Sequence, residues 1–190
     1  MGMICRAAIE DLDFLVETDL SSEGYTINPE EQPLTDQERA DHREKIKAFV
    51  TTENDAAWVV IDPPSGERVG TIMVRFRDRY HEPDTEANRF LLRFFDDGTF
   101  PTPLPADGCF CEIFNLWVHP NFRRLGLATA LKLHIEEEAR QRGICMIYTH
   151  TEAANPHVVE LNRKLGYQEI RCGPLWDDVP RVSLVKWLPE

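Results

Sequence analysis

The longest amphipathic stripe of the chain runs through Leu127, Ala130, Leu131, His134, Ile135 and Ala139, at i, i+3, i+4 spacing, and predicts a helix. Lys132, Glu136, Glu137 and Arg140 fall on the other side of that wheel and are expected to face solvent. Arg140 and Arg142 suit the negative C-terminal end of such a helix, and Gly143 supplies its stop. Before it, residues 109–118 form a mostly apolar run closed by His119-Pro120, the pattern of a buried central strand. After it, residues 144–149 read as another strand, so the three elements make a β-α-β unit with parallel strands and a right-handed crossover.

The flanking pattern is mixed. Residues 3–9 predict a strand, followed by Asp11 as N-cap of a helix carrying Leu12, Leu15 and Val16. Residues 21–33 are polar and contain Gly24, Asn28 and two prolines, so they predict an exposed loop. Thr35 and Glu38 have the spacing of a capping box, ahead of a helical stripe at Ile46, Phe49 and Val50. Residues 56–61 and 69–76 read as an antiparallel pair joined by the Pro/Gly turn at 62–66. Residues 80–108 are expected to be an insertion containing one helix, with Phe90, Leu91, Phe94 and Phe95 at helical spacing between prolines. Asn155 and Pro156 predict a helix start, Leu165-Gly166 its end, and residues 182–188 a last strand. These elements fit a single α/β domain spanning residues 1–190.

Composition narrows the function. Among 190 residues, Lys and Arg number 21 against 33 Asp and Glu, a net charge of −12 that counts against a duplex nucleic-acid partner. It fits a protein that binds cations, or one that gathers its few positive charges at one small anionic ligand. No run approaches the ~18 to 20 apolar residues of a membrane span, and the N-terminus does not read as a signal peptide, so a cytoplasmic location is expected. Five cysteines without a regular framework fit reduced thiols. Cys109 and Cys111 have no second pair at zinc spacing, so no metal is expected.

The informative stretch is residues 118–129. A strand ends, a loop holds Arg123, Arg124 and Gly126, and a helix opens on the small residues Ala128 and Thr129. That order points free backbone N–H groups and the positive end of a helix dipole at one spot, where a pyrophosphate can sit. The two guanidinium groups add charge-assisted hydrogen bonds.

Arg123, Gly126 and Ala128 stand at the places of the Arg/Gln-x-x-Gly-x-Gly/Ala signature. Together with Ile4-Cys5-Arg6-Ala7-Ala8 and Asp11-Leu12, with Phe110-Cys111-Glu112-Ile113, and with Asn155, Leu161 and Lys164-Leu165-Gly166-Tyr167, the chain resembles the GCN5-related N-acetyltransferase (GNAT) family. Residues 80–108 lie outside the resemblance. It implies a mixed central sheet with a splayed parallel strand pair, flanked by helices, and acetyl-CoA as cosubstrate of an N-acetyltransferase. By position, the Leu116 N–H would face the thioester carbonyl, Val118 would pair with the pantetheine amides, and Asn155 would bond to the same arm. Arg123, Arg124, Gly126, Ala128 and Thr129 would hold the pyrophosphate.

Glu112 stands where family members place a base, acting directly or through water; its other reading is a strand-end carboxylate paired with an arginine. The chain departs from the family at Asn162, where a tyrosine commonly protonates the leaving thiolate, since an amide cannot deliver a proton. Tyr148, Tyr167 and Tyr25 are the candidate substitutes. His134 reads as a core histidine, while His119, His150 and His157 stand around the presumed cleft or on the surface. The implied acceptor is a small-molecule or peptide amine, and a homodimer is compatible with the sequence. The alternatives are a catalytically silent acyl-CoA-binding sensor and a metal-dependent hydrolase, the latter requiring a ligand cluster that the sequence lacks.

Overall fold

The computed structural model describes residues 2–22, 34–78, 105, 108–175 and 177–188. The expected loop at 23–33, Tyr25, and the helix expected around Phe90 to Phe95 lie outside them. In chain order the elements are β1 (Met3–Arg6), α1 (Leu12–Ser22), α2 (Asp36–Thr51), β2 (Asp55–Ile61), β3 (Arg68–Asp78), β4 (Cys109–Val118), α3 (Leu127–Gln141), β5 (Met146–Glu152), α4 (Pro156–Lys164), β6 (Gln168–Pro174) and β7 (Pro180–Trp187).

The strands form one seven-stranded sheet in the order β1-β2-β3-β4-β5-β7-β6. β1 with β2, β2 with β3, β5 with β7 and β6 with β7 are antiparallel. β4 and β5 are parallel, in the register Cys111–Ile147, Glu112–Tyr148 and Ile113–Thr149. The expected mixed sheet with a parallel pair at its middle is therefore present, and β6 is a strand that the hydrophobic pattern did not announce.

The chain divides into two compact units, Met1–Arg75 with Phe114–Leu133, and Phe76–Ile113 with His134–Glu190. The first packs Leu12 and Leu15 of α1 and Ile46 and Phe49 of α2 onto Ala57, Val59 and Met73 of the sheet. In the second, Phe110, Ile147, Tyr148 and Leu184 are fully buried.

Local chemistry explains most of the element ends. Thr35 Oγ1 accepts from the Glu38 N–H at 3.2 Å while Glu38 Oε2 accepts from the Thr35 N–H at 2.7 Å, the reciprocal pair that starts α2. The Thr35 N–H and the Thr35 hydroxyl, both donating to Glu38 Oε2, hold the Glu38 carboxyl below its ordinary range. Thr35→Ala is expected to lower folding stability by about 0.5–2 kcal/mol, read as a shift in the urea unfolding midpoint. Gly143 closes α3 at φ 73°, in the left-handed region.

Three expectations are corrected. Asp11 is not the N-cap; a 3-10 turn at Ile9–Asp11 precedes α1, and the Asp11 carboxylate reaches back to the Ala8 N–H at 2.8 Å and also takes Arg68 Nε. Lys132 and Glu136 do not face solvent, being only 1% and 2% exposed. Glu136 Oε1 accepts from Lys186 Nζ on β7 at 2.7 Å, and that partner lets the carboxylate be buried. Finally, Asn155 occupies the N-cap position of α4 but makes no side-chain cap bond; its carbonyl accepts from the Val158 and Val159 N–H groups.

Candidate active site

The strand-to-helix turn belongs to the first unit. β4 ends at Val118, and the His119 N–H donates to the Val69 carbonyl at 3.0 Å, which fixes where the strand stops. Pro120–Phe122 form a 3-10 turn, over which the His119 ring stacks edge-on between Trp117 at 5.9 Å and Phe122 at 5.7 Å. Arg123 Nε then donates back to the Val118 carbonyl at 3.1 Å, so the guanidinium is tethered at the mouth of the turn while its outer nitrogens stay exposed.

Arg124 has φ 65° and Gly126 φ 82°. Two left-handed residues so close turn successive N–H groups toward one side, the concave arrangement that binds anions. A Cβ on Gly126 would meet nothing within 4 Å, so the loop is open there and glycine is required by the backbone angle alone. The Ala130 N–H donates to the Gly126 carbonyl at 2.9 Å and starts α3, whose first N–H groups, including those of Ala128 and Thr129, have no partner within the helix. Arg123, Arg124, Gly126, Ala128 and Thr129 thus share one exposed, positively charged turn. Leu116 and Val118, half-buried on β4, lead directly into it.

Glu112 and Asn155 belong to the second unit. Glu112 is 6% exposed on β4, and its Oε2 accepts from Arg77 Nε at 3.0 Å and Arg77 Nη2 at 2.9 Å. The arginine-paired arrangement is therefore present, with Arg77 placed on β3. Tyr148 lies opposite Glu112 in the register. Burial pushes its phenol well above the ordinary range, against a pull from Ser183. Burial likewise pushes Tyr167 up. A phenol shifted in that direction holds its proton more tightly, which makes both residues poor replacements for a thiolate-protonating acid. His150, one turn of the pleat beyond Tyr148, is lowered by burial and is neutral at pH 7, despite the opposing field of Glu112. Asn162 is fully buried, and neither its Nδ2 nor its Oδ1 has a hydrogen-bond partner among the described residues.

Among the described residues no group of three or more His, Cys, Asp or Glu side chains could hold a metal ion. His134 is half-buried, 3.8 Å from Glu138, rather than a core residue. Sequence reasoning missed Arg77, while His150 was among the histidines expected around the cleft or on the surface. The available signal for Arg77 was a cation set two residues after Arg75 within an otherwise apolar strand. No helix among the described residues is long and apolar enough to cross a membrane.

The profile of the acetyltransferase (GNAT) family matches residues 18–167. The chain is 33% identical over 57 residues to the ribosomal protein bS18-alanine N-acetyltransferase of Escherichia coli K12, a match covering 30% of this chain and 38% of that protein. Among solved structures, Arabidopsis thaliana NAA60 in complex with acetyl-CoA superposes with TM-score 0.69 at 16% identity, covering 98% of both chains. The ribosomal-protein-S18-alanine N-acetyltransferase from Escherichia coli superposes with TM-score 0.65 at 13% identity, covering all of this chain and 96% of that one. At such identities the superpositions establish a shared fold.

Proposed function

The chain belongs to the acetyltransferase (GNAT) family, and from that premise we propose that it moves the acetyl group of acetyl-CoA to a primary amine by direct attack, with no covalent enzyme intermediate. The observation that supports this most is the turn from β4 into α3. Its two left-handed residues, its open Gly126 and its two exposed arginines suit the diphosphate of a coenzyme in a chain whose net charge is −12. Arg123, Arg124, Gly126, Ala128 and Thr129 hold that group in this reading. Val118 and Asn155 bond to the pantetheine arm, and Asn155 suits the task because capping does not use its amide. The Leu116 N–H donates to the thioester oxygen as negative charge develops there, a contribution typically worth about 10²-fold or more in rate.

The acceptor must shed protons, since a free alkyl ammonium has a pKa near ~10.4. Glu112 takes up one of them, directly or through water. Arg77 occupies its Oε2, so Oε1 is the oxygen that acts. The acceptor is a small-molecule or peptide amine. The ribosomal-protein alanine N-acetyltransferases among the relatives favour a peptide amine.

A second reading, a catalytically silent acyl-CoA-binding module, is favoured by Asn162, which offers no transferable proton where the family commonly has a tyrosine. Thiol release from acetyl-CoA separates the two. With a panel of alkyl amines, amino acids and short peptides, amine-dependent release of free CoA is expected. Binding of acetyl-CoA without release across the whole panel would leave the sensor reading standing.

A further inference from the structure

Along α4, Asn155, Val158, Val159, Asn162 and Leu165 follow the i, i+3, i+4 rule, so Asn162 stands within the inward stripe of the helix, where an apolar side chain is the rule. Val159 is buried as that pattern requires. Asn162 is 0% exposed, and among the described residues neither its Nδ2 nor its Oδ1 has a hydrogen-bond partner. Its backbone is fully used. The Asn162 carbonyl accepts from the Leu165 N–H at 3.1 Å and from the Tyr167 N–H at 3.0 Å, and Gly166, at φ 85°, turns the chain behind them. The helix end thus fixes the place of Asn162 and leaves its side-chain amide to pair elsewhere.

The cost of this arrangement gives it a chemical direction. A buried amide without partners forfeits the hydrogen bonds that water supplies in the unfolded chain, whereas a leucine at the same place completes the stripe at no such cost. A ligand that pairs both atoms must accept from Nδ2 and donate to Oδ1. Phosphates and a thioester only accept, and an ammonium only donates. Within acetyl-CoA the adenine and the two amides of the pantetheine arm combine both roles. Asn155, assigned to the arm, stands on the same stripe seven residues earlier, roughly 10 Å along the helix axis, which favours the arm over the adenine. Both asparagines lie in the second unit.

We propose that Asn162 is a second anchor for the pantetheine arm, its Nδ2 donating to an amide carbonyl of the arm and its Oδ1 accepting from an amide N–H. This rests on coenzyme binding, which the transferase reading and the silent-module reading share. Asn162 is a positioning residue in this role and transfers no proton. The residue that departs from the family pattern serves to hold the coenzyme. Because its backbone is fixed before the ligand arrives, little ordering of α4 is needed on binding.

The test uses the whole chain with Asn162→Leu and, to set aside the bulk of leucine, Asn162→Ala. Each is titrated calorimetrically with acetyl-CoA and with 3'-phosphoadenosine diphosphate, which keeps the nucleotide and lacks the arm. Urea unfolding without ligand is measured beside the titrations. Both variants are expected to bind acetyl-CoA about 10-fold or more weakly and 3'-phosphoadenosine diphosphate as the unaltered protein does. The urea midpoint of at least one variant is expected to stay or rise, since an unpaired buried amide has been removed. Acetyl-CoA affinity within about threefold of the unaltered protein in either variant overturns the proposal. An equal loss for 3'-phosphoadenosine diphosphate overturns it too, placing the contact at the nucleotide. So does a midpoint that falls in both variants, which would mean that a buried water already pairs the amide and that Asn162 is structural. Failure of the unaltered protein to bind acetyl-CoA instead overturns the coenzyme reading itself.

Discussion

Arg77→Met is expected to lower folding stability by about 3–5 kcal/mol, because it breaks a buried ion pair and leaves one charge behind. The side chains of Arg77 and Glu112 are 9% and 7% exposed, and two guanidinium nitrogens converge on one carboxylate oxygen. Removing the cation strands a buried charge on the central strand, and its desolvation is no longer offset. Removing both charges, as in Arg77→Met with Glu112→Leu, leaves neither member of this pair stranded and is expected to recover most of the loss. Urea unfolding of the three proteins reads this as a midpoint pattern: far left for the single variant, near the original for the double. A single variant within about 1 kcal/mol of the unaltered protein contradicts the pairing.

Arg123→Ala combined with Arg124→Gly is expected to weaken acetyl-CoA binding by roughly 10²-fold or more, because each charge-assisted bond to phosphate is worth about 1.5–3 kcal/mol. The choice of glycine at the second position separates function from fold. Arg124 sits at φ 65°, where a residue with a Cβ carries about 1 kcal/mol or more of strain, and glycine relieves it. Thermal unfolding should therefore be unchanged or slightly raised while calorimetric affinity for acetyl-CoA collapses. Loss of both together would mean that the arginines hold the turn and not a ligand. Strain kept at an exposed turn supports the proposed binding role of that turn.

Local pattern carried a definite part of this structure. The bounds of β4, the stripe of α3, the capping box at Thr35 and Glu38, and the order of strand, basic turn and helix are all visible because each is decided within a few residues. What escaped is decided by residues far apart in the chain. Glu136 reads as solvent-facing until Lys186 is brought to 2.7 Å from it. Arg77 and Glu112 are 35 positions apart, and Asp19 and Asn115 are 96 apart, so no periodicity reveals either contact. β6 has the polar stretch Gln168, Glu169 and Arg171 and ends at Gly173-Pro174, a poor strand by propensity. Its ladder with β7, at the edge of the sheet, makes it one. Asp11 reads locally as an N-cap, but whether it caps from the first position or reaches back from the third depends on where the preceding strand ends.

The diphosphate is the part of acetyl-CoA that the turn between β4 and α3 is read to grip, so the most direct measurement compares two ligands that differ there. Calorimetric titration with acetyl-CoA and with S-acetylpantetheine, which keeps the thioester and the amide arm but lacks the whole 3'-phosphoadenosine diphosphate, run on the unaltered protein and on the Arg123→Ala, Arg124→Gly protein, reads how much of the difference passes through the two arginines. The account predicts that S-acetylpantetheine binds at least about 10²-fold more weakly, and that the Arg123→Ala, Arg124→Gly protein distinguishes the two far less. Equal affinities for the two ligands on the unaltered protein would contradict it.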